Sequence, residues 1–171
     1  MPSAGDRLPR YSGAAAGILG LDLLTKAVIE RSFDHGRVVP VVGEWLQLRL
    51  VYNPGAAFGL ELGQHSRWIF LVIAVVAVML LTRLAWTTAP GDRLRLLALG
   101  LVAGGATGNL VDRVRSPLGV VDFLDVGVGA ARWPTFNVAD VGVTLGAVAL
   151  AVSFWLEDAR RARAQSTSSA G

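Results

Sequence analysis

A chain of 171 residues that is 53% hydrophobic, charged at only 17% of its positions and has a mean hydropathy of +0.50 is too apolar for an ordinary soluble domain. Its formal net charge of +3 accompanies no nucleic-acid recognition motif, so the excess of cations points to an anionic membrane surface instead. The lack of cysteine excludes disulfides, thiolate metal sites and a cysteine nucleophile.

Read in chain order, the sequence predicts an α-helical membrane protein: one integral membrane domain over 1–171, with four spans of the roughly 20 apolar residues that a bilayer crossing needs. The first, about 11–29, contains Asp22 and Lys26, spaced i, i+4 and read as an internal ion pair that makes insertion tolerable. That pair interrupts the apolar run and no A-x-A site follows, so the segment reads as a retained span and not a cleaved signal peptide. Between Arg31 and Arg67 lies an outer segment in which "EWLQLRLVYN" alternates, Leu46, Leu48 and Leu50 against Gln47 and Arg49, as a half-buried strand does. "VVPVV" is its expected partner, with Pro40 demoting it to an edge. A turn at Pro54 and Gly55 follows, then an interfacial Phe58, so a small β-cradle is expected over about 37–63.

The second span, about 68–86, is uncharged until Arg83, and the third, about 94–112, is rich in small residues that let membrane helices approach. A second outer segment, 111–135, reads as a loop carrying Asp122 and Asp125. Within it Asp125 is expected in solvent, and Asp112 is placed on a helix face away from Asn109 and Arg113. The fourth span, about 138–156, holds Asp140 one turn from its start, and a tail over 157–171 ends in "AQSTSSAG", the composition of an unstructured segment. Four spans put both termini on one side. Arginines 7, 10, 83, 93, 95, 160, 161 and 163 mark that side as cytoplasmic, although seven others lie opposite.

Polar residues at the ends of apolar segments are costly and therefore candidates for function. Asn53, Asn109, Arg113, Asp122, Asn137 and Asp140 all fall at or near the outer ends of their segments. Asp122 and Asp140 are close enough in sequence to meet, and two nearby carboxyls share a proton, one activating water while the other polarises a carbonyl. Other schemes fit less well. His35 and His65 lie in no metal-ligand spacing or hydrolase elbow, and no local pattern supports a serine–lysine pair of Ser116 and Lys26.

The motifs "LDLLTK", "NPGAAFGL", "GGATGNLVDR", "VVDF" and "FNVADVGVTLG", in this order across about residues 18–150, resemble the lipoprotein signal peptidases (signal peptidase II) of bacteria. The resemblance implies four transmembrane helices with an outer β-cradle and a short periplasmic helix. It implies an aspartyl peptidase of the inner membrane, active on its outer face, that needs no cofactor or metal. The enzyme would act as a monomer on prolipoproteins, cutting before a diacylglyceryl-modified cysteine, with membrane lipid as its other partner and no nucleic acid. It assigns catalysis to Asp122 and Asp140, substrate contacts to Asn53, Gly55, Asn109, Arg113 and Asn137, and support to Asp22 and Lys26. Pro54 and Val141 depart from the family pattern without touching the acids. Two other functions use the same residues: a small ion- or proton-coupled transporter, and a non-enzymatic assembly factor docking through its outer sheet. A transporter would bring repeats or acids at the midplane, neither of which the sequence contains.

Overall fold

Four helices carry the apolar runs: α1 (Arg7–Ser32), α2 (Ser66–Thr87), α3 (Arg93–Arg115) and α4 (Val138–Ser168). The computed structural model of the chain describes residues 7–34, 36–55 and 63–168. All four helices are long and apolar enough to cross a membrane. The shortest, α2 with 22 residues, reaches about 33 Å at 1.5 Å per residue, enough for a hydrocarbon core of about 30 Å. Its outward surface is a continuous apolar sheath, with Trp68, Val72, Ile73, Met79, Leu80 and Trp86 all exposed. Water would not tolerate that surface, whereas lipid matches it.

The helix α3 is central and packs against the other three. Its small residues make this possible. A Cβ on Gly100 or Gly104 would run into the Tyr11 or Ala15 carbonyl of α1, and one on Gly105 into the Ala139 carbonyl of α4. Where the chain leaves α3, Gly119 takes a φ of 99° and lies against the Asn53 carbonyl, a position no other residue fills without strain. Beyond the expected fourth span, α4 continues as helix to Ser168, so the tail is largely helical in place of the unstructured segment its composition suggested. Ala159, Ala162 and Ala164 favour helix, and the i, i+4 pair of Glu157 and Arg161 supports the extension.

The cradle is a four-stranded antiparallel sheet in the order β1 (Val38–Val42), β2 (Leu46–Asn53), β3 (Val120–Val128), β4 (Ala131–Arg132). The Pro40 strand is at the edge, as its missing N–H requires. The loop reading of Asp122 was wrong: it is the third residue of β3, paired with Val51 of β2. The start of β3 is buried on both faces, Val120 to Phe123 in succession. No alternation of apolar and polar residues therefore marks it as a strand. Of the short helix implied for the first outer segment, one 3-10 turn is seen at Gly63–His65. Phe58 and the remainder of 56–62 lie outside the described residues.

The sheet is seated on one end of the bundle by a core of Ile29, Leu50, Val121 and Phe123, with Phe33, Tyr52 and Val138 against it. A second core, Tyr11, Ala85, Leu96, Leu99 and Ala103, closes the other end.

The helix seam can be tested directly. Gly105→Ala forces the Ala139 backbone away and should destabilise the protein by about 1–3 kcal/mol. Gly20→Ala, whose Cβ meets nothing within 4 Å, should be neutral or gain up to about 1 kcal/mol of helix propensity. Thermal unfolding of both variants in detergent checks the contrast; equal midpoints would mean that the seam does not depend on close approach at Gly105.

Candidate active site

At the sheet end of the bundle, α4 begins with a reciprocal cap. Asn137 precedes the first helical residue; its Oδ1 accepts the Asp140 N–H at 3.0 Å, and Asp140 Oδ2 accepts the Asn137 N–H at 3.2 Å. This arrangement satisfies backbone donors that a helix start otherwise leaves open. The residue before the cap, Phe136, is tied to β3 by three backbone hydrogen bonds: Phe123 N–H and Leu124 N–H donate to its carbonyl, and its own N–H donates to Leu124. The start of α4 and the strand bearing Asp122 are thereby held side by side.

The Asn137 side-chain amide links the Asp122 carboxyl to the Asp140 backbone N–H. Its Nδ2 donates to Asp122 Oδ1 at 2.7 Å and also approaches the Val121 carbonyl and Asn109 Oδ1. The second Asp122 oxygen accepts from Asn53 Nδ2 at 3.0 Å. Asp140 Oδ1 accepts from Asn109 Nδ2 at 2.8 Å. Both carboxyls line one cavity of about 450 Å³, together with Asn53, Asn109 and Arg113. Its remaining wall runs through Trp133, Pro134, Thr135 and Phe136 and down α4 through Val141, Val143, Thr144 and Leu145. Burial pushes the Asp122 carboxyl up to about 7, the Asn53 amide opposing the shift and the neighbouring Asp140 charge adding to it.

Beneath the cavity, Lys26 is fully buried, with its ammonium 2.8 Å from both Asp22 Oδ2 and Asp112 Oδ2 and donating to Asn109 Oδ1 at 2.9 Å. The Asp22 contact is ionic and off the hydrogen-bonding direction, since that oxygen has no hydrogen-bond partner among the described residues. The other Asp22 oxygen accepts the Ala139 N–H, in the first turn of α4, at 2.9 Å. Asp112 Oδ2 also accepts the Val121 N–H, next to Asp122, at 3.2 Å. Asp112 Oδ1 pairs with Arg115, which pairs in turn with Glu30. Because an ammonium only donates, Lys26 forces Asn109 to present its oxygen inward and its NH₂ to Asp140.

The structure brings Asp22, Lys26, Asn53, Gly55, Asn109, Arg113, Asp122, Asn137 and Asp140 together in this region. Gly55 is buried, donates its N–H to Asn53 Oδ1 and accepts from Arg113 at 2.7 Å. Arg113 Nε is buried without a hydrogen-bond partner among the described residues. Two acids expected in solvent are instead buried. Asp125 is 2% exposed and clasped by Arg132, with Arg49 3.6 Å away. Asp112, wholly buried, was misplaced because i, i+3 neighbours share a face as surely as i, i+4 ones do. Its spacing from Asn109 in "GNLVD" was the signal that would have paired it with Lys26.

Four apolar helices and an outer sheet define a multi-pass membrane protein, with two carboxyls, Asp122 and Asp140, lining one cavity. The chain belongs to the signal peptidase (SPase) II family, whose sequence profile matches residues 14–156. It is 45% identical over 145 residues to a lipoprotein signal peptidase of Cupriavidus taiwanensis, covering 84% of this chain and 78% of that one. To one of Rhodococcus jostii it is 43% identical over 147 residues, covering 81% and 68%. A bacterial membrane enzyme solved by the in meso method at 2.3 Å superposes with a TM-score of 0.78 at 27% identity, over 86% of this chain and 88% of that one.

Two consequences are measurable. Asp122 in the folded protein binds its proton more tightly than the ordinary carboxyl of the unfolded chain, so its ionisation costs stability as pH rises from about 4 to about 7. Relative to Asp122→Asn, the wild type should lose on the order of 4 kcal/mol across that interval. Thermal unfolding at several pH values reads the difference, and parallel profiles would refute it. Lys26→Met leaves Asp22 buried without a cation and Asp112 with Arg115 alone, and should cost about 3–5 kcal/mol. Adding Asp112→Asn to Lys26→Met should recover part of that loss; a purely additive double variant would count against the shared ion network.

Proposed function

We propose that the chain is an aspartic endopeptidase that removes the signal peptide from prolipoproteins, cutting before the diacylglyceryl-modified cysteine at the outer face of the bacterial inner membrane. The observation that carries this reading is the pair of carboxyls from separate elements, Asp122 on β3 and Asp140 on α4, lining one cavity and joined through Asn137, whose side-chain amide donates to Asp122 and whose backbone N–H donates to Asp140. The relatives' name, lipoprotein signal peptidase, supports the substrate class. On this reading both termini are cytoplasmic, the protein works as a monomer, and its partners are prolipoproteins and membrane lipid.

Asp122, whose buried carboxyl holds its proton up to about pH 7, donates that proton to the scissile carbonyl oxygen. Asp140 lies in the first turn of α4, where backbone dipoles favour negative charge, and takes a proton from the attacking water. The water oxygen bonds to the carbonyl carbon, giving a neutral tetrahedral diol. Collapse breaks the C–N bond as Asp140 returns its proton to the amine of the lipidated cysteine and Asp122 regains the hydroxyl proton. Arg113 and the Asn53 amide, both on the cavity wall, orient the peptide backbone.

The shape of the cavity suits a substrate anchored in the bilayer. Its α4 wall ends at Leu145, and Val148 and Val152 continue the exposed apolar surface of the same helix. A volume of about 450 Å³ is that of a small-ligand pocket. It accommodates the residues around the scissile bond and leaves the acyl chains in lipid.

Purified protein should cleave a diacylglyceryl-modified prolipoprotein before its cysteine. Asp122→Asn and Asp140→Asn, at matched folded yield, should each lose at least about 10²-fold in turnover. Near-normal cleavage by either variant would remove that residue from the chemistry.

A further inference from the structure

Hydroxyls inside membrane helices normally hide by bonding backward to their own helix, and this protein follows the habit. Thr25, Thr82, Thr87 and Thr107 each donate to the carbonyl three or four residues earlier. Thr144 does not. It lies four residues after Asp140 on α4, so the Asp140 carbonyl is its natural acceptor, yet its hydroxyl makes no hydrogen bond among the described residues. The side chain is exposed and lines the cavity, between Val143 and Leu145 on an α4 wall that is otherwise apolar past Asp140. At that depth an unpartnered hydroxyl is costly unless something that enters the cavity satisfies it.

Residues four apart on a helix share a face, so Thr144 sits one turn, about 6 Å of rise, below Asp140 on the bilayer side. Thr135, the other cavity hydroxyl without a hydrogen-bond partner among the described residues, comes before the α4 cap, on the opposite side of Asp140. A group that meets Thr144 therefore lies on the lipid side of the bond being cut. In a diacylglyceryl thioether the first polar groups past the sulfur are the glyceryl ester carbonyls, acceptors that a lone hydroxyl donor matches.

We infer that Thr144 is a specificity-determining residue whose hydroxyl donates to an ester carbonyl of the substrate's glyceryl group and sets the lipidated cysteine in register with the acid pair. This rests on the peptidase reading above and adds to it a named contact with the lipid head. The hydroxyl takes part in no bond-making step; its contribution is to binding and register.

The test compares two synthetic prolipopeptides, one with ester-linked acyl chains and one with ether-linked chains that lack the carbonyls. Thr144→Val, which keeps the shape and removes the donor, should raise KM for the ester substrate about 3- to 10-fold with little change in kcat. Thr144→Ser should restore it. On the ether substrate, wild type and Thr144→Val should be equal, and wild type itself should bind it more weakly than the ester. An unchanged KM on the ester, or an equal loss on both substrates, overturns the assignment, the second because it reports packing alone. Failure of the wild type to cut either substrate would instead bring down the peptidase reading, and this inference with it.

Discussion

The arrangement depends on one buried cation. Lys26 has no access to solvent, and its charge is met by Asp22 from its own helix and by Asp112 and Asn109 from α3. An ammonium in this position is stable only while all three contacts persist, so it fixes the rotation of α1 against α3. Through them it reaches both acids of the cavity. Asp22 caps the first turn of α4, Asn109 turns its amide to Asp140, and Asp112 holds the strand at Val121 beside Asp122. The side chain touches neither acid, yet all three of its partners bond to the elements that carry them.

Such a network needs helices closer together than ordinary side chains permit, and this is where the small residues of α3 matter. Gly108 leaves room for the Asp22 carboxylate itself, while Gly105 lets the start of α4 settle against α3. In lipid there is no hydrophobic gain from bringing two apolar helices together, so close packing and interhelical polar contacts carry the association. Glycines and buried ions are thus two parts of one solution: the first permit the approach, and the second give it a direction.

The four spans were legible in the sequence because lipid demands long apolar runs, and "LQLRLVYN" was legible because one of its faces alternates. Asp122 and Asp140 stood out because acids are rare in such a chain. The strand that carries Asp122 was not legible as a strand. Its first residues are buried on both faces, and the acids within it serve partners on other elements: Asn53 and Asn137 for Asp122, Arg132 for Asp125. Burial of Asp112 and Asp125 was missed for the same reason. A buried charge is recognisable only through its partner, and those partners are distant in sequence (Lys26 for Asp112) or sit in segments that read as loop (Arg132 for Asp125). The helical extension of α4 past 156 was hidden by a serine-rich ending whose preceding residues are good helix formers.

The pinning of β3 also bears on the chemistry proposed for the acid pair. The strand is bonded on one side to β2 and on the other to Phe136, and it is held at Val121 by Asp112. At its far end, the Gly127 N–H donates to the Trp45 carbonyl, and Arg132 joins Asp125 to the Glu44 carbonyl. Moving β3 away from the helix bundle would break the Phe136 bonds, the Asn137 contact and the Asp112 contact together, at about 1 kcal/mol or more for each. On the reading proposed above, the two carboxyls keep their separation as a substrate enters. On that reading the rigidity serves the chemistry, because fixed donors stabilise a developing charge without first having to turn toward it.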